Sequence, residues 1–183
     1  MDLRIVKTRA RIKEAFLTLR HRLTPDKIKV KDICAMARIN KTTFYKHYND
    51  SMELSREIDE QAIDHLVEQF AERERLVDDP RAYIMGLLNI MSREAPTLRI
   101  LFQDKREELF SKLSDRLSAF VTRDTEELEE GVRLTFAIGG AVRVAGEYIL
   151  EETRRDIGKV VDTTVCMLEA LVPRRRAAAQ STN

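Results

Sequence analysis

The sequence contains few of the residues on which disulfide-stabilised and metal-binding proteins depend. Its two cysteines, Cys34 and Cys166, are far apart and show no CxxC or Cys/His spacing, so neither a disulfide framework nor a zinc site is indicated. Tryptophan is absent, and six glycines and four prolines are few for a turn-rich sheet protein. With 43% hydrophobic and 34% charged residues, the composition is that of a globular chain, and we predict an all-α fold.

Long hydrophobic runs are also missing. No apolar run approaches the roughly 18 to 20 residues that cross a bilayer, and the N-terminus is charged where a secretory signal needs an apolar stretch. We therefore expect a cytoplasmic protein. The histidines His21, His47 and His65 have no matching catalytic partners, and no nucleophile elbow or phosphate-cradling glycine loop is present, so we expect no enzyme activity, cofactor or metal.

The charge is distributed unevenly along the chain. Residues 1–50 hold 13 Lys and Arg against 5 Asp and Glu, a net charge of +8, whereas the remainder carries −7. A basic segment attracts polyphosphate and an acidic one is repelled by it. The asymmetry favours nucleic acid as a partner of the N-terminal segment, although charge also varies by chance along any chain.

Apolar periodicity and capping residues predict about nine helices. Asn40 is expected to cap the third helix, Asp79 and Pro80 to begin the fifth, and Pro96 to begin a separate sixth. The helices are expected at about residues 2–22, 30–37, 41–48, 52–76, 80–93, 96–102, 109–121, 126–152 and 156–171. We predict a DNA-binding domain at 1–50, a helical dimerisation and ligand domain at 51–172, and a disordered tail at 173–183.

The third predicted helix has two different faces. At about 100° per residue, Phe44 and Tyr48 share one side, and Thr42, Thr43 and Lys46 lie on the opposite side. Small hydroxyls and a long cationic side chain on a short helix suit the reading of base edges in the major groove. An ordinary polar helix surface would show the same periodicity, so periodicity alone leaves both interpretations open.

Residues 33–48, which read ICAMARINKTTFYKHY, resemble the N-terminal module of the tetracycline-repressor (TetR) family. That module has the form apolar-Ala-x-x-Ala-Gly-apolar-Ser-x-x-Thr-apolar-Tyr-x-His-Phe. The resemblance is specific over about residues 8–54 and generic beyond. It implies a three-helix, helix-turn-helix DNA-binding module in which Thr42, Thr43 and Lys46 face bases. Tyr45 and His47 are expected to bind phosphates. The further DNA-binding residues expected are Lys31, Asn40 and Lys41.

Three positions depart from the family pattern. Arg38 replaces the usual turn glycine, which costs about 1 kcal/mol if its φ is positive. Cys34 replaces an alanine, a change in volume that packing can absorb. Ser51 replaces a lysine often found at the start of the fourth helix, so one phosphate contact is expected to be missing.

The last two helices are expected to supply a dimer, because one recognition helix reads only a few base pairs. Mid-helix glycine is costly and suggests close helix packing. In the resembled family these helices form a four-helix interface, and intramolecular packing alone is the alternative. The residues expected at the interface are Gly139, Gly140, Val161, Val165 and Leu168.

The resemblance also implies a small-molecule pocket in the C-terminal domain. Its candidate lining residues are Tyr83, Met85, Met91, Phe102, Phe110, Phe120 and Arg143, and plain core is the alternative for the apolar ones. For Arg143 the alternatives are an ion pair with Glu147 and recognition of an anionic effector.

The expected function is that of a TetR-like repressor, a homodimer that binds a palindromic operator through residues 41–48 and is released by an effector. The alternative is a DNA-binding coactivator whose C-terminal domain docks a protein partner and binds no small molecule. Residues alone specify neither the operator nor the regulated genes.

Overall fold

The computed structural model describes residues 3–70, 79–123, 125–150 and 156–172. Over these residues the chain forms eight α-helices and no strand, which confirms the predicted all-α class. The predicted tail at 173–183 lies outside the described residues. None of the described helices is long and apolar enough to span a bilayer. The helices are α1 (Leu3–Arg20), α2 (Val30–Ala37), α3 (Lys41–Tyr45), α4 (Ser51–Phe70), α5 (Pro80–Phe102), α6 (Arg106–Thr122), α7 (Leu128–Leu150) and α8 (Ile157–Leu171).

The chain divides into two compact units, residues 1–62 and 63–183, and α4 contributes to both. In the first unit one side of α1 packs on α2, and α2 packs on α3. A short 3-10 turn, Pro25–Lys27, separates α1 from α2. The core of this unit comprises Ile12, Ala15, Phe16, Ile28, Ile33, Cys34, Ala37, Phe44, Tyr48, Leu54 and Ile58.

The second unit is a bundle in which α5 packs against α7 and α8, and α6 packs against α7. The start of α5 follows the capping prediction: the Asp79 side chain accepts a hydrogen bond from the Ala82 N–H, with Pro80 in the first turn. Asp156 likewise accepts from the N–H groups of Gly158 and Lys159 at the start of α8. Local signals therefore place these two helix starts correctly.

The predicted break between the fifth and sixth helices is wrong, because Pro96 lies inside the continuous helix α5. Met91, Ala95 and Leu98 are all buried, so the apolar face continues through the proline at helical spacing. The proline itself is exposed. Packing of this face offsets the backbone hydrogen bond that proline cannot make. The described residues therefore form eight helices where about nine were expected.

Candidate nucleic-acid interface

The helix-turn-helix is formed by α2, the residues at 38–40 and α3. Asn40 caps α3 as predicted: its Oδ1 accepts hydrogen bonds from the Thr43 N–H at 2.7 Å and from the Thr43 hydroxyl at 2.8 Å. α3 ends at Tyr45, three residues earlier than predicted. The His47 N–H bonds the Phe44 carbonyl at 2.9 Å, so the chain continues as a tight turn.

Arg38 occupies the turn in the left-handed conformation, with φ 52° and ψ 50°. It is the one non-glycine residue with positive φ in the described part of the chain. The turn nevertheless has regular hydrogen bonding, because the Ile39 N–H reaches the Cys34 carbonyl at 3.0 Å. The φ of Arg38 is therefore positive, and this residue bears the backbone strain expected when a side chain replaces the usual turn glycine.

Residues 41–48, the predicted recognition element, bury one side as the helical spacing predicts. Phe44 is fully buried and Tyr48 is 2% exposed, so this pair anchors the recognition element in the core. The ring of Tyr45 stands edge-on to Phe44, with centroids 5.6 Å apart. Of the predicted DNA-contacting residues, Thr43 and His47 are half-buried, and the exposed ones are Lys31, Asn40, Lys41, Thr42, Tyr45 and Lys46.

A charged cluster that sequence reasoning missed connects α1, α4 and the end of the recognition element. The Glu57 carboxylate of α4 accepts hydrogen bonds from Arg9 at 2.5 Å and from Lys13 at 2.7 Å. Arg9 also lies over the Tyr48 ring, 5.0 Å from its centroid. Arg9 and Lys13 are four residues apart, so the sequence places them on one side of α1. No local pattern indicates, however, that they pair with a carboxylate more than 40 residues away.

Electrostatics in this cluster favour the ionised carboxylate of Glu57 and the neutral phenol of Tyr48. Burial alone would raise the pKa of Glu57, but the hydrogen bonds from Lys13 and Arg9 outweigh burial and hold its pKa below the usual value. Burial, together with the charge of Glu57, raises the pKa of Tyr48 to about 12. At neutral pH the cluster is therefore an ionised carboxylate between two cations, beside a neutral phenol.

The candidate effector residues do not share one environment. Tyr83, Met91, Phe102 and Phe110 are buried, Phe120 is half-buried, and Met85 and Arg143 are exposed. The Tyr83 hydroxyl is buried and has no hydrogen-bond partner among the described residues, and burial raises its pKa to about 12.

Arg143 bonds Glu147 at 2.5 Å, pairs with Glu107 and lies 5.1 Å from the Phe110 ring centroid. The ion pair that was one of the two alternatives for Arg143 is therefore formed within the chain, and α6 supplies its second carboxylate. Hydrogen bonds to Glu107 and Glu147 raise the pKa of Arg143.

The predicted interface residues also separate into two groups. Val161, Val165 and Leu168 are buried within their own chain, where α8 packs on α5 and α7. Gly140 is exposed and Gly139 half-buried, and a Cβ added to either would meet no atom within 4 Å. On the same helix α7, Leu128, Val132 and Phe136 are 83%, 60% and 70% exposed, and Phe136 and Val132 line an open groove of about 680 Å³.

The chain matches no protein-family model, and no curated protein shows significant sequence similarity to it. Solved structures do match. A TetR transcriptional regulator from Streptococcus agalactiae aligns with 90% of this chain and 95% of its own, at 19% identity and a TM-score of 0.63. A TerR/AcrR-family regulator from Aquifex aeolicus aligns at 20% identity over 90% and 99%, with a TM-score of 0.58. The dihydroxyacetone kinase operon activator DhaS aligns at 18% identity over 90% and 96%, with a TM-score of 0.56.

Proposed function

Because the chain has the fold of TetR-family transcriptional regulators, we propose that it is a homodimeric regulator of transcription that inserts α3 into the DNA major groove. One observation carries this proposal. Phe44 and Tyr48 are buried beneath the recognition element, while Thr42 and Lys46 stand exposed on it together. A hydroxyl and a flexible cation on an anchored short helix are the groups that read base edges.

The hydrogen bonds of α3 refine the roles of its residues. The Thr43 hydroxyl already donates to Asn40, so it offers only acceptor lone pairs to a base. It therefore suits an exocyclic amino group of adenine or cytosine. Thr42 and Lys46 supply the donors, and Lys31, Lys41, Tyr45 and His47 position the helix on phosphates.

The dimer surface in this proposal lies on the outward side of α7. Glycine within a helix costs about 1 kcal/mol relative to alanine, and no atom of the described residues of this chain requires the small size of Gly139 or Gly140. Close approach of a second copy supplies a reason for both. Phe136 and Val132 on the same helix, and Met167 on α8, are exposed apolar residues that such an approach would cover.

The regulatory part of the proposal is repression that is released by an effector bound in the second unit. The buried hydroxyl of Tyr83 is a polar group that could orient such a ligand. The alternative is an activator that docks a protein partner, and a structure of similar fold, DhaS, is described as an operon activator. An effector that releases DNA supports repression, whereas a partner protein retained on the DNA-bound complex supports the alternative.

Selection of duplexes from a random pool tests the DNA-reading proposal. The wild-type protein is expected to enrich a two-fold symmetric site with half-sites about 34 Å apart. The variant Thr42→Ala/Lys46→Ala is expected to lose that preference. The exposed lysine of α8, changed in Lys159→Ala, is the matched control. Absence of a symmetric site, together with unchanged binding by the double variant, would contradict the proposal.

The dimer surface has its own test. Gly140→Glu places a charge where the chain itself has open space, so each unit is expected to stay folded while the dimer dissociates. Sedimentation velocity measures the mass, and circular dichroism checks the fold. Gly86→Glu, at a position that also has open space in α5, is the control. A Gly140→Glu protein that remains dimeric would place the interface elsewhere.

A further inference from the structure

The turn between α2 and α3 is held by a side chain from a third helix. The Arg11 guanidinium of α1 donates through Nη2 to the carbonyl oxygen of Ala37 and, at 3.2 Å, to that of Arg38. Carbonyls at a helix C-terminus have no partner within the helix. Arg11 therefore caps the end of α2 from outside.

The capped turn is also the strained one. Arg38 has the left-handed conformation, which is strained for a residue with a Cβ and almost free of strain for a glycine. Such a conformation persists only where surrounding structure imposes it. The bonds from Arg11 meet the carbonyls on both sides of the Arg38 Cα, so they act where the strain lies.

The direction of α3 depends on this turn. Asn40, the cap of α3, is only two residues beyond Arg38, and its side chain is bonded to Thr43. A change of φ at Arg38 would therefore rotate the whole recognition helix relative to α1 and α2. A misplacement of even 1 Å is enough to weaken contacts with base edges severely.

We propose that Arg11 is a positioning residue for DNA reading, which holds the left-handed turn at Arg38 and thereby fixes the direction of α3. This inference rests on the proposed role of α3 in reading DNA. The competing role for an exposed arginine in a basic segment is a direct bond to phosphate, and the two roles respond differently to salt and to relief of the strain.

The test is a double-mutant cycle of Arg11→Ala and Arg38→Gly, with affinity for the wild-type-selected duplex measured over a range of salt concentrations. Arg11→Ala is expected to weaken binding about tenfold without changing the slope of log K against log salt. In the Arg38→Gly protein, glycine adopts the left-handed turn without strain, so Arg11→Ala should weaken binding less than about threefold. Lys7→Ala, which removes a charge from the same side of α1, should weaken binding less than Arg11→Ala does.

Two results would overturn the inference. One is that Arg11→Ala reduces the slope of log K against log salt by about 0.9 and weakens binding equally in the wild-type and Arg38→Gly proteins. That result identifies a phosphate contact. The other is unchanged affinity of Arg11→Ala. If Arg11→Ala does not fold, Arg11→Lys keeps the charge on a single donor nitrogen, and is expected to show a smaller loss of affinity that Arg38→Gly also removes.

The inference can fail separately from the proposed function. If the wild-type protein selects no duplex, the DNA-reading proposal fails, but the turn can still be examined without DNA. The Ile39 amide bonds the Cys34 carbonyl across this turn at 3.0 Å. Its hydrogen exchange is expected to be faster in Arg11→Ala and restored in Arg11→Ala/Arg38→Gly, and equal exchange in all variants would overturn the inference.

Discussion

Gly146 of α7 lies directly against the ring of Phe110 in α6, and a methyl group built on Gly146 would overlap that ring. Both residues are buried. The glycine therefore allows the two helices to approach with the aromatic ring between them. Gly139 and Gly140, earlier in the same helix, have open space instead. Gly146 thus serves packing within the chain, whereas Gly139 and Gly140 fit the proposed approach of a second copy.

Gly146→Ala is expected to lower the free energy of unfolding by about 1–3 kcal/mol, because overpacking at Phe110 outweighs the gain in helix propensity. Urea denaturation followed by circular dichroism measures the change. Gly86→Ala is the matched control: its Cβ meets no atom within 4 Å, so the unfolding free energy is expected to rise by up to about 1 kcal/mol. Stabilisation by Gly146→Ala would show that the ring moves aside freely.

Glu57→Gln is expected to lower the unfolding free energy by about 1–3 kcal/mol at neutral pH, because Arg9 and Lys13 lose their shared carboxylate. Glu14→Gln, which changes an exposed carboxylate of α1, is the control and should alter stability by less than about 0.5 kcal/mol. An equal effect of the two substitutions would mean that the cluster adds nothing to stability.

The same cluster predicts a pH dependence. The pKa of Glu57 is lower in the folded protein than in the unfolded chain, so its contribution is present above the unfolded value of about 4.3 and is lost as pH falls through the folded pKa. The difference in unfolding free energy between wild type and Glu57→Gln should therefore shrink in acid. A constant difference from neutral to acid pH would contradict this assignment.

The two buried tyrosines are expected to respond oppositely to loss of their hydroxyl. Tyr83→Phe removes a buried group that has no hydrogen-bond partner, so stability should stay equal or rise by up to about 1 kcal/mol. Tyr48→Phe removes a hydroxyl that donates to Glu57 at 3.5 Å, so stability should fall by a few tenths of a kcal/mol or more. Thermal denaturation of both variants decides this, and destabilisation by Tyr83→Phe would reveal a partner for its hydroxyl.

The basic segment is expected to contribute fewer phosphate contacts than its charge suggests. Arg9 and Lys13 are engaged by Glu57, whereas Lys41 and Lys46 are exposed on the recognition element. Lys41→Ala should therefore reduce the salt slope of DNA binding by about 0.9, and Lys13→Met should leave it unchanged. A reduced slope for Lys13→Met would show that this lysine leaves Glu57 to meet DNA.

Local sequence signals predicted much of the fold because they act within a few residues. The caps at Asn40 and Asp79 lie where side-chain type and position indicated, and Phe44 and Tyr48 are buried as helical spacing required. Pro96 misled the prediction, because proline is a local helix breaker and the apolar face that carries α5 through it is stabilised only by packing against other helices.

The sequence by itself determined the all-helical class, the two short helices joined by a turn and the burial of Phe44 and Tyr48, since these follow from periodicity and capping; the DNA-binding role of residues 41–48 came from the family resemblance. Only the tertiary structure showed that Gly146 makes room for Phe110 while Gly140 faces open space. It alone brought Glu57 to Arg9, and Arg11 to the strained turn at Arg38. Such contacts join residues far apart in the chain, so no local pattern encodes them, and they depend on how the helices pack.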